Sequence, residues 1–269
     1  MLVALFATWD RANEAILPPW SAVAWTLLIV TAGLMGAGAS WVALFESRHS
    51  ARLRAAFYVS QVGKYLPGGG LWQAVGQTEM SRSPDLSAAR AAAGFGVHGI
   101  VQLAAGLFVG SLAGLGSNAP LGIRILMVSG SLSVLLLNRE WLTHVLRWSA
   151  RLLPRVTAGL EAPGQARIFR SFAWALVAVL ASGTGFALLL HGLEPAFSVP
   201  YAATGFCLAW ALGFAALPFP SGLGVREAAL AFLLPGATAQ VLAASIVLRL
   251  ALIAVELVFS ALSVRGLRR

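Results

Sequence analysis

Lys64, Arg226, Glu227, Arg249 and Glu256 are charged residues set inside stretches that are otherwise apolar. A charge at membrane depth costs at least about 2.5 kcal/mol unless it is paired or hydrated, so each of the five needs a partner. Arg249 and Glu256 are seven residues apart, two turns along one helix face, too far to pair with each other. A plausible network joins Arg226 or Arg249 to Glu227 or Glu256 and leaves Lys64 or one arginine to hold a phosphate. The alternative is a set of ion pairs that only locks helices together. No catalytic residue is expected in either case.

Three of these charges stand beside interruptions. The first lies within residues 55–77, AAFYVSQVGKYLPGGGLWQAVGQ, too polar and too broken for an ordinary span. Gly68, Gly69 and Gly70 permit close backbone approach, and a helix restarting near Leu71 aims its free amides at the loop, where an anionic headgroup or phosphate fits. Tyr65, Trp72, Gln73 and Gln77 complete this break. Gln73 and Gln77 share a face, and either bind headgroup groups or bond across helices. The second break lies within residues 217–236, where Gly222 and Gly224 precede Arg226 and Glu227 at the start of a helix from Val225. Paired Gly/Pro-broken segments, one in each half of a membrane chain, point to a binding site, because non-helical backbone cannot face lipid. His98 and Gln102, one turn apart, read as an interhelical hydrogen-bond partner set rather than a proton relay.

The elements that must position these residues follow from composition. Hydrophobic residues are 58% of the 269 and charged ones 11%, against roughly 25% charged in soluble domains. Runs of about 20 apolar residues cross the ~30 Å hydrocarbon core as helices. The expected fold is all-α: a polytopic integral membrane protein, one transmembrane domain over residues 1–269, with about six full spans and two discontinuous or re-entrant helices. The spans fall near residues 20–45, 88–113, 121–137, 172–191, 199–216 and 241–264, and residues 1–17 are amphipathic. Little chain remains for a soluble catalytic domain.

The net charge of +9 comes mostly from arginines at span ends, as in cytoplasmic loops, and does not imply nucleic acid. Arg48, Arg52 and Arg54, the arginine-rich stretch 138–170, and Arg265, Arg268 and Arg269 therefore predict three cytoplasmic segments, a cytoplasmic C-terminus and a multi-pass protein of the cell membrane. Parity then makes the first break enter and leave on one side and the second cross. Within 138–170, Glu140, His144, Arg147, Arg151 and Arg155 form one helix face, and Trp141, Val145, Trp148 and Leu152 another, as in an interfacial amphipathic helix. Most of the nine Trp read as belt anchors; Trp72, inside a break, is the exception. The single Cys207 reads as a packing residue. No P-loop, metal spacing or aspartate cluster is present, only Asp10 and Asp85, so no cofactor or metal is expected.

Two stretches carry a family resemblance. GKYLPGGGLWQ, residues 63–73, and LPFPSGLGVREAAL, residues 217–230, resemble the paired hallmarks of the lysylphosphatidylglycerol synthase transmembrane-region, or flippase-like, family, which includes the membrane half of the multiple peptide resistance factor. The resemblance covers roughly residues 20–264. It implies a membrane domain that moves or presents a phospholipid or polyprenyl-linked lipid between leaflets. The family's soluble aminoacyl transferase domain has no counterpart here, which excludes synthesis of lysyl lipid by this chain, and a full first span before Trp20 is also missing from the pattern.

The leading expectation is a lipid flippase-like protein in which Lys64, Arg226 and Arg249 hold phosphate and Glu227 and Glu256 balance charge. One rival is a membrane-embedded transferase acting on a polyprenyl-phosphate sugar, with Glu227 or Glu256 as general base. Another is an accessory subunit that docks a glycosyltransferase or lipid-modifying enzyme through the arginine-rich segment.

Overall fold

The computed structural model describes residues 17–45, 50–66, 70–112, 121, 124, 125, 128, 130–152 (149–152 as backbone alone), 162–215 and 224–267. They form helices α1 (Trp20–Ala43), α2 (Ser50–Ser60), α3 (Gly70–Ser81), α4 (Ala88–Ser111), α5 (Arg139–Leu152), α6 (Gln165–Leu193), α7 (Val199–Ala215), α8 (Val225–Leu233) and α9 (Thr238–Ser263). Shorter 3-10 turns cover Gln61–Tyr65, Gly130–Leu137 and Val264–Leu267. No β-strand occurs among the described residues, so the all-α expectation holds.

Among the described residues, four helices are long and apolar enough to cross a membrane: α1, α4, α6, and α9 with its 3-10 extension to Leu267. Two of the six expected spans are not among them. α7 has 17 residues, about 25 Å at 1.5 Å per residue, just short of the hydrocarbon thickness. Of the stretch 121–137, the described continuous element is an eight-residue 3-10 helix, which rises only about 16 Å. It lies along α4, where the Ser133 hydroxyl donates to the Ala104 carbonyl at 3.0 Å. The second break likewise contributes a helix of nine residues, α8, about 14 Å long, and the described part of that segment does not itself cross.

Without a hydrophobic drive between helices in lipid, close packing of small residues and buried hydrogen bonds must hold such a bundle. The α1–α6 seam shows both. A side chain on Gly33 would come within 2.8 Å of Ala181 Cβ. Thr26 donates to the Gly185 carbonyl at 3.1 Å and Ser40 meets Ser171 at 2.9 Å, all far apart in sequence. α7 packs on α4, α6 and α8, and α9 packs on α1, α2, α6 and α8. The Cys207 thiol is buried and faces the Val179 carbonyl, in keeping with a packing role.

α2, the turn and α3 form an antiparallel hairpin: Ser60 bonds Gln77, Gln61 bonds Gln73 and Arg52 reaches the Met80 carbonyl, so positions rise on one helix as they fall on the other. Gly63 makes the hairpin possible, since a Cβ there would sit 2.8 Å from the Gln73 backbone nitrogen. Gly70, expected to serve close approach, has nothing within 4 Å of where its Cβ would be and performs no such role among the described residues. Gly68, Gly69 and Gly222 lie outside the described residues, as do the amphipathic start, Arg48, Arg155, Arg268 and Arg269.

α5 docks on the bundle through an edge that the sequence reading did not single out. Leu142 and Leu146, one turn apart, dock on the bundle, whereas Trp141 and Trp148 are 40% and 62% exposed. The tryptophan edge is therefore separate from the docking edge, and the cationic Arg147 with His144 lies on a further exposed face.

Candidate functional site

α9 lies between the two breaks and meets both. Its Glu256, 5% exposed at the side chain, receives Lys64 Nζ at 2.5 Å on Oε1 and the Tyr65 hydroxyl at 2.7 Å on Oε2. Both donors come from the 3-10 turn Gln61–Tyr65. Lys64 and Tyr65 are its last two residues, and both side chains reach Glu256 of α9. The Lys64 ammonium also donates to Gln61 Oε1 at 3.3 Å, the oxygen that accepts Gln73 Nε2 at 3.3 Å from α3. Gln61 is thus the junction of the first break. Its position three residues before Lys64 is the sequence signal that would have placed it there.

Seven residues earlier on α9, Arg249 points to the second break. Arg249 Nη2 lies 3.4 Å from Glu227 Oε1, and Arg226 Nη2 lies 3.3 Å from the same oxygen. Glu227 is the third residue of α8, and its other oxygen accepts the backbone N–H of Gly224 at 2.8 Å, capping the helix. Gly224 has φ +86°, a left-handed conformation that costs a residue with a Cβ roughly 1–2 kcal/mol. Arg226 is nearly buried and lies over the Phe206 ring at 5.8 Å, close against Gly213 of α7. Two guanidinium groups share one carboxylate, and the sharing is incomplete. Arg226 Nε has no partner among the described residues, and Arg249 Nη2 is within ion-pair reach without hydrogen-bond alignment.

The structure therefore divides the expected network into two groups joined by α9. Lys64, Tyr65, Gln73 and Glu256 form one, and Gly224, Arg226, Glu227 and Arg249 the other. Lys64 is committed to Glu256, so the anion-holding capacity that remains belongs to the arginines. Among the described residues of the two groups, three cations stand against two carboxylates, a net of one positive charge (3 − 2 = +1). Tyr65 and Trp72 are 40% and 54% exposed at the hairpin tip, beside the exposed Leu66, Leu71 and Val75.

His98 is buried outside this cluster. It meets Gln102 at 3.3 Å on its own helix and sits edge-on to Trp41 and Phe57, which makes it a packing and hydrogen-bond element of α1, α2 and α4. No group of three or more metal-ligating side chains occurs among the described residues. No family model matches this chain, and no curated protein matches it.

Proposed function

We propose that this protein is a multi-pass protein of the cell membrane that binds the anionic headgroup of a lipid between its two broken segments and moves or presents that lipid between leaflets. The observation that carries the reading is the pairing of Arg226 and Arg249 on the single carboxylate of Glu227, with Lys64 neutralised by Glu256. A site whose described residues carry one cation more than carboxylates and a guanidinium N–H without a partner among them suits a phosphodiester monoanion, which supplies one charge and several acceptors.

In this reading the hairpin α2–α3 is re-entrant, with its apolar tip in the bilayer and both ends at the arginine-bearing, cytoplasmic side, and α7 and α8 run antiparallel, with the Tyr201 hydroxyl on the Leu233 carbonyl and Gly213 against Arg226, so that the start of α7 and the end of α8 lie on one side. The resemblance of residues 63–73 and 217–230 to the flippase-like family supports lipid as the ligand. The transferase rival needs a carboxylate free to take a proton, whereas Glu227 and Glu256 are each engaged by cations.

The test is movement of headgroup-labelled phospholipid in proteoliposomes. Wild type is expected to translocate, and Arg226→Ala and Arg249→Ala to lose movement while eluting as folded protein. Translocation unaffected by both substitutions removes the proposed site.

A further inference from the structure

The helices other than α5 fall into two sets of one plan. α1, α2, α3 and α4 make a long helix, an antiparallel pair and a second long helix, and α6, α7, α8 and α9 repeat that order. Exchanging α1 with α6, α2 with α7, α3 with α8 and α4 with α9 maps every close pairing among these helices onto another. α2 packs on α9 as α7 packs on α4, α1 on α9 as α6 on α4, and α3 on α4 as α8 on α9. α1 and α6 meet each other. Aligning their first residues, Trp20 and Gln165, sets Thr26 against Ser171, Ser40 against Gly185 and Gly33 against Ala178. The Thr26–Gly185 bond is then the image of the Ser40–Ser171 contact, and a Cβ on Gly33 would lie 3.3 Å from the carbonyl oxygen of its own counterpart. Such reciprocal contacts are what a two-fold axis produces.

Any two antiparallel helices share a local two-fold, so the pairs away from the α1–α6 seam decide. On α4, Gly110 meets Leu208, Gly106 meets Ala211 and Gly99 faces Phe214, so α7 runs opposite to α4. On α9, Gly266 meets Ala55, Phe259 meets Tyr58 and Glu256 meets Lys64, so α2 is opposed to α9 in the same way. Because α1 and α6 are antiparallel, the second set is inverted relative to the first. Arginines put the start of α2 (Arg52, Arg54), the start of α6 (Arg167, Arg170) and the end of α9 (Arg265) on one side. α4 begins on that side too, where a Cβ on Gly94 would run into the Phe45 ring. α7, running against α4, therefore begins on the opposite side, and α8 returns there, with Leu233 beside Tyr201.

We propose that residues 20–111 and 165–263 are structural repeats of inverted topology, with the α2–α3 hairpin entering from the cytoplasmic face, the α7–α8 pair from the opposite face, and each closing one side of the arginine group. Inverted repeats place a binding site where they meet, near mid-membrane. Arg249 stands eleven residues from the start of α9, about 16 Å, and Glu256 seven from its end, about 10 Å. The Lys64–Glu256 pair, below Arg249, closes the cytoplasmic side; α8, held through Glu227 on Arg249, closes the other. Release of one while the other holds opens the arginine group to one face at a time. The sidedness rests on the arginine bias alone, and the inference holds whatever the arginine group binds.

The experiment labels single cysteines from either side of the membrane with the impermeant reagent methanethiosulfonate ethyltrimethylammonium, against the buried native Cys207 as background. Pro84, Ser198 and Pro235 are exposed in the connections α3–α4, α6–α7 and α8–α9. Pro84→Cys is expected to react at least about tenfold faster in inverted than in right-side-out membrane vesicles, and Ser198→Cys and Pro235→Cys the reverse, because thiol reactivity follows access. Ser198→Cys and Pro235→Cys on opposite sides, or either on the side of Pro84→Cys, overturns the inverted repeat. The two closures are read at Leu252→Cys, on the face of α9 between Arg249 and Glu256. Two disulfide locks suit the geometry: Ala55→Cys with Gly266→Cys pins α2, and Gly106→Cys with Ala211→Cys pins α7, since Cβ atoms on the two glycines would lie 3.2 and 3.1 Å from the alanine Cβ atoms. Leu252→Cys is expected to react from both sides when unlocked, to lose cytoplasmic labelling alone under the first lock and opposite-side labelling alone under the second. Labelling from one side only in the unlocked protein, or a lock that slows both sides alike, overturns the closures, and lipid movement plays no part in any readout.

Discussion

Arg249 and Glu256 stand two turns apart on α9, and each holds a different break: Glu256 takes Lys64 and Tyr65, and Arg249 takes Glu227. One rigid helix thus couples two segments 163 positions apart (227 − 64). A displacement of either break relative to α9 must separate an ion pair in a low-dielectric interior, where such separations are costly.

Glu256→Gln is expected to lower stability by about 2–3 kcal/mol, because it leaves the Lys64 ammonium partly buried without a counter-charge. Lys64→Met combined with Glu256→Gln is expected to recover most of that loss. Thermal unfolding of the detergent-purified proteins, treated as a double-mutant cycle, measures the coupling.

Glu227→Gln keeps an oxygen for the Gly224 N–H but removes the charge shared by the two arginines. Stability is expected to fall, while affinity for a soluble phosphodiester headgroup analogue rises by about tenfold, roughly 1.4 kcal/mol. Titration calorimetry checks this opposite movement; weaker headgroup binding would argue against a phosphate held by the arginines.

Three glycines rank in a fixed order on replacement by alanine. Gly63→Ala is expected to be the most damaging, because its Cβ meets the Gln73 backbone at 2.8 Å and neither chain can yield cheaply. Gly224→Ala is expected to cost about 1–2 kcal/mol from its positive φ alone. Gly70→Ala is expected to be neutral or slightly stabilising, since it meets nothing and begins a helix. Melting temperatures of the three variants give the order.

On α5, Leu142→Ala is expected to cost about 2–4 kcal/mol as a fully buried core truncation. Trp148→Ala is expected to change stability in detergent by no more than about 0.5 kcal/mol, because the side chain touches little of the bundle. If the tryptophan edge rests on lipid, the same variant shows weakened association of an isolated α5 peptide with anionic vesicles in a sedimentation assay.

The sequence by itself determined the solvent and the alphabet of the fold. Apolar runs with arginines at their ends admit only helices in a bilayer, because every backbone group must be satisfied within its own segment, and four helices of that length and composition are present among the described residues. It also located the charged residues that need partners, since the cost of a charge in an apolar stretch is a local property. The partner choices belonged to tertiary structure. Lys64 could equally have met Glu227, and only the 3-10 turn of the first break, pressed against α3 at Gly63, aims it at Glu256. Gln61 and Gly63 gain their roles from contacts across the hairpin, and Leu142 gains the core because docking depends on the neighbour that α5 meets. Periodicity tells which residues share a face of a helix; which face is buried is decided by what the rest of the chain packs against it.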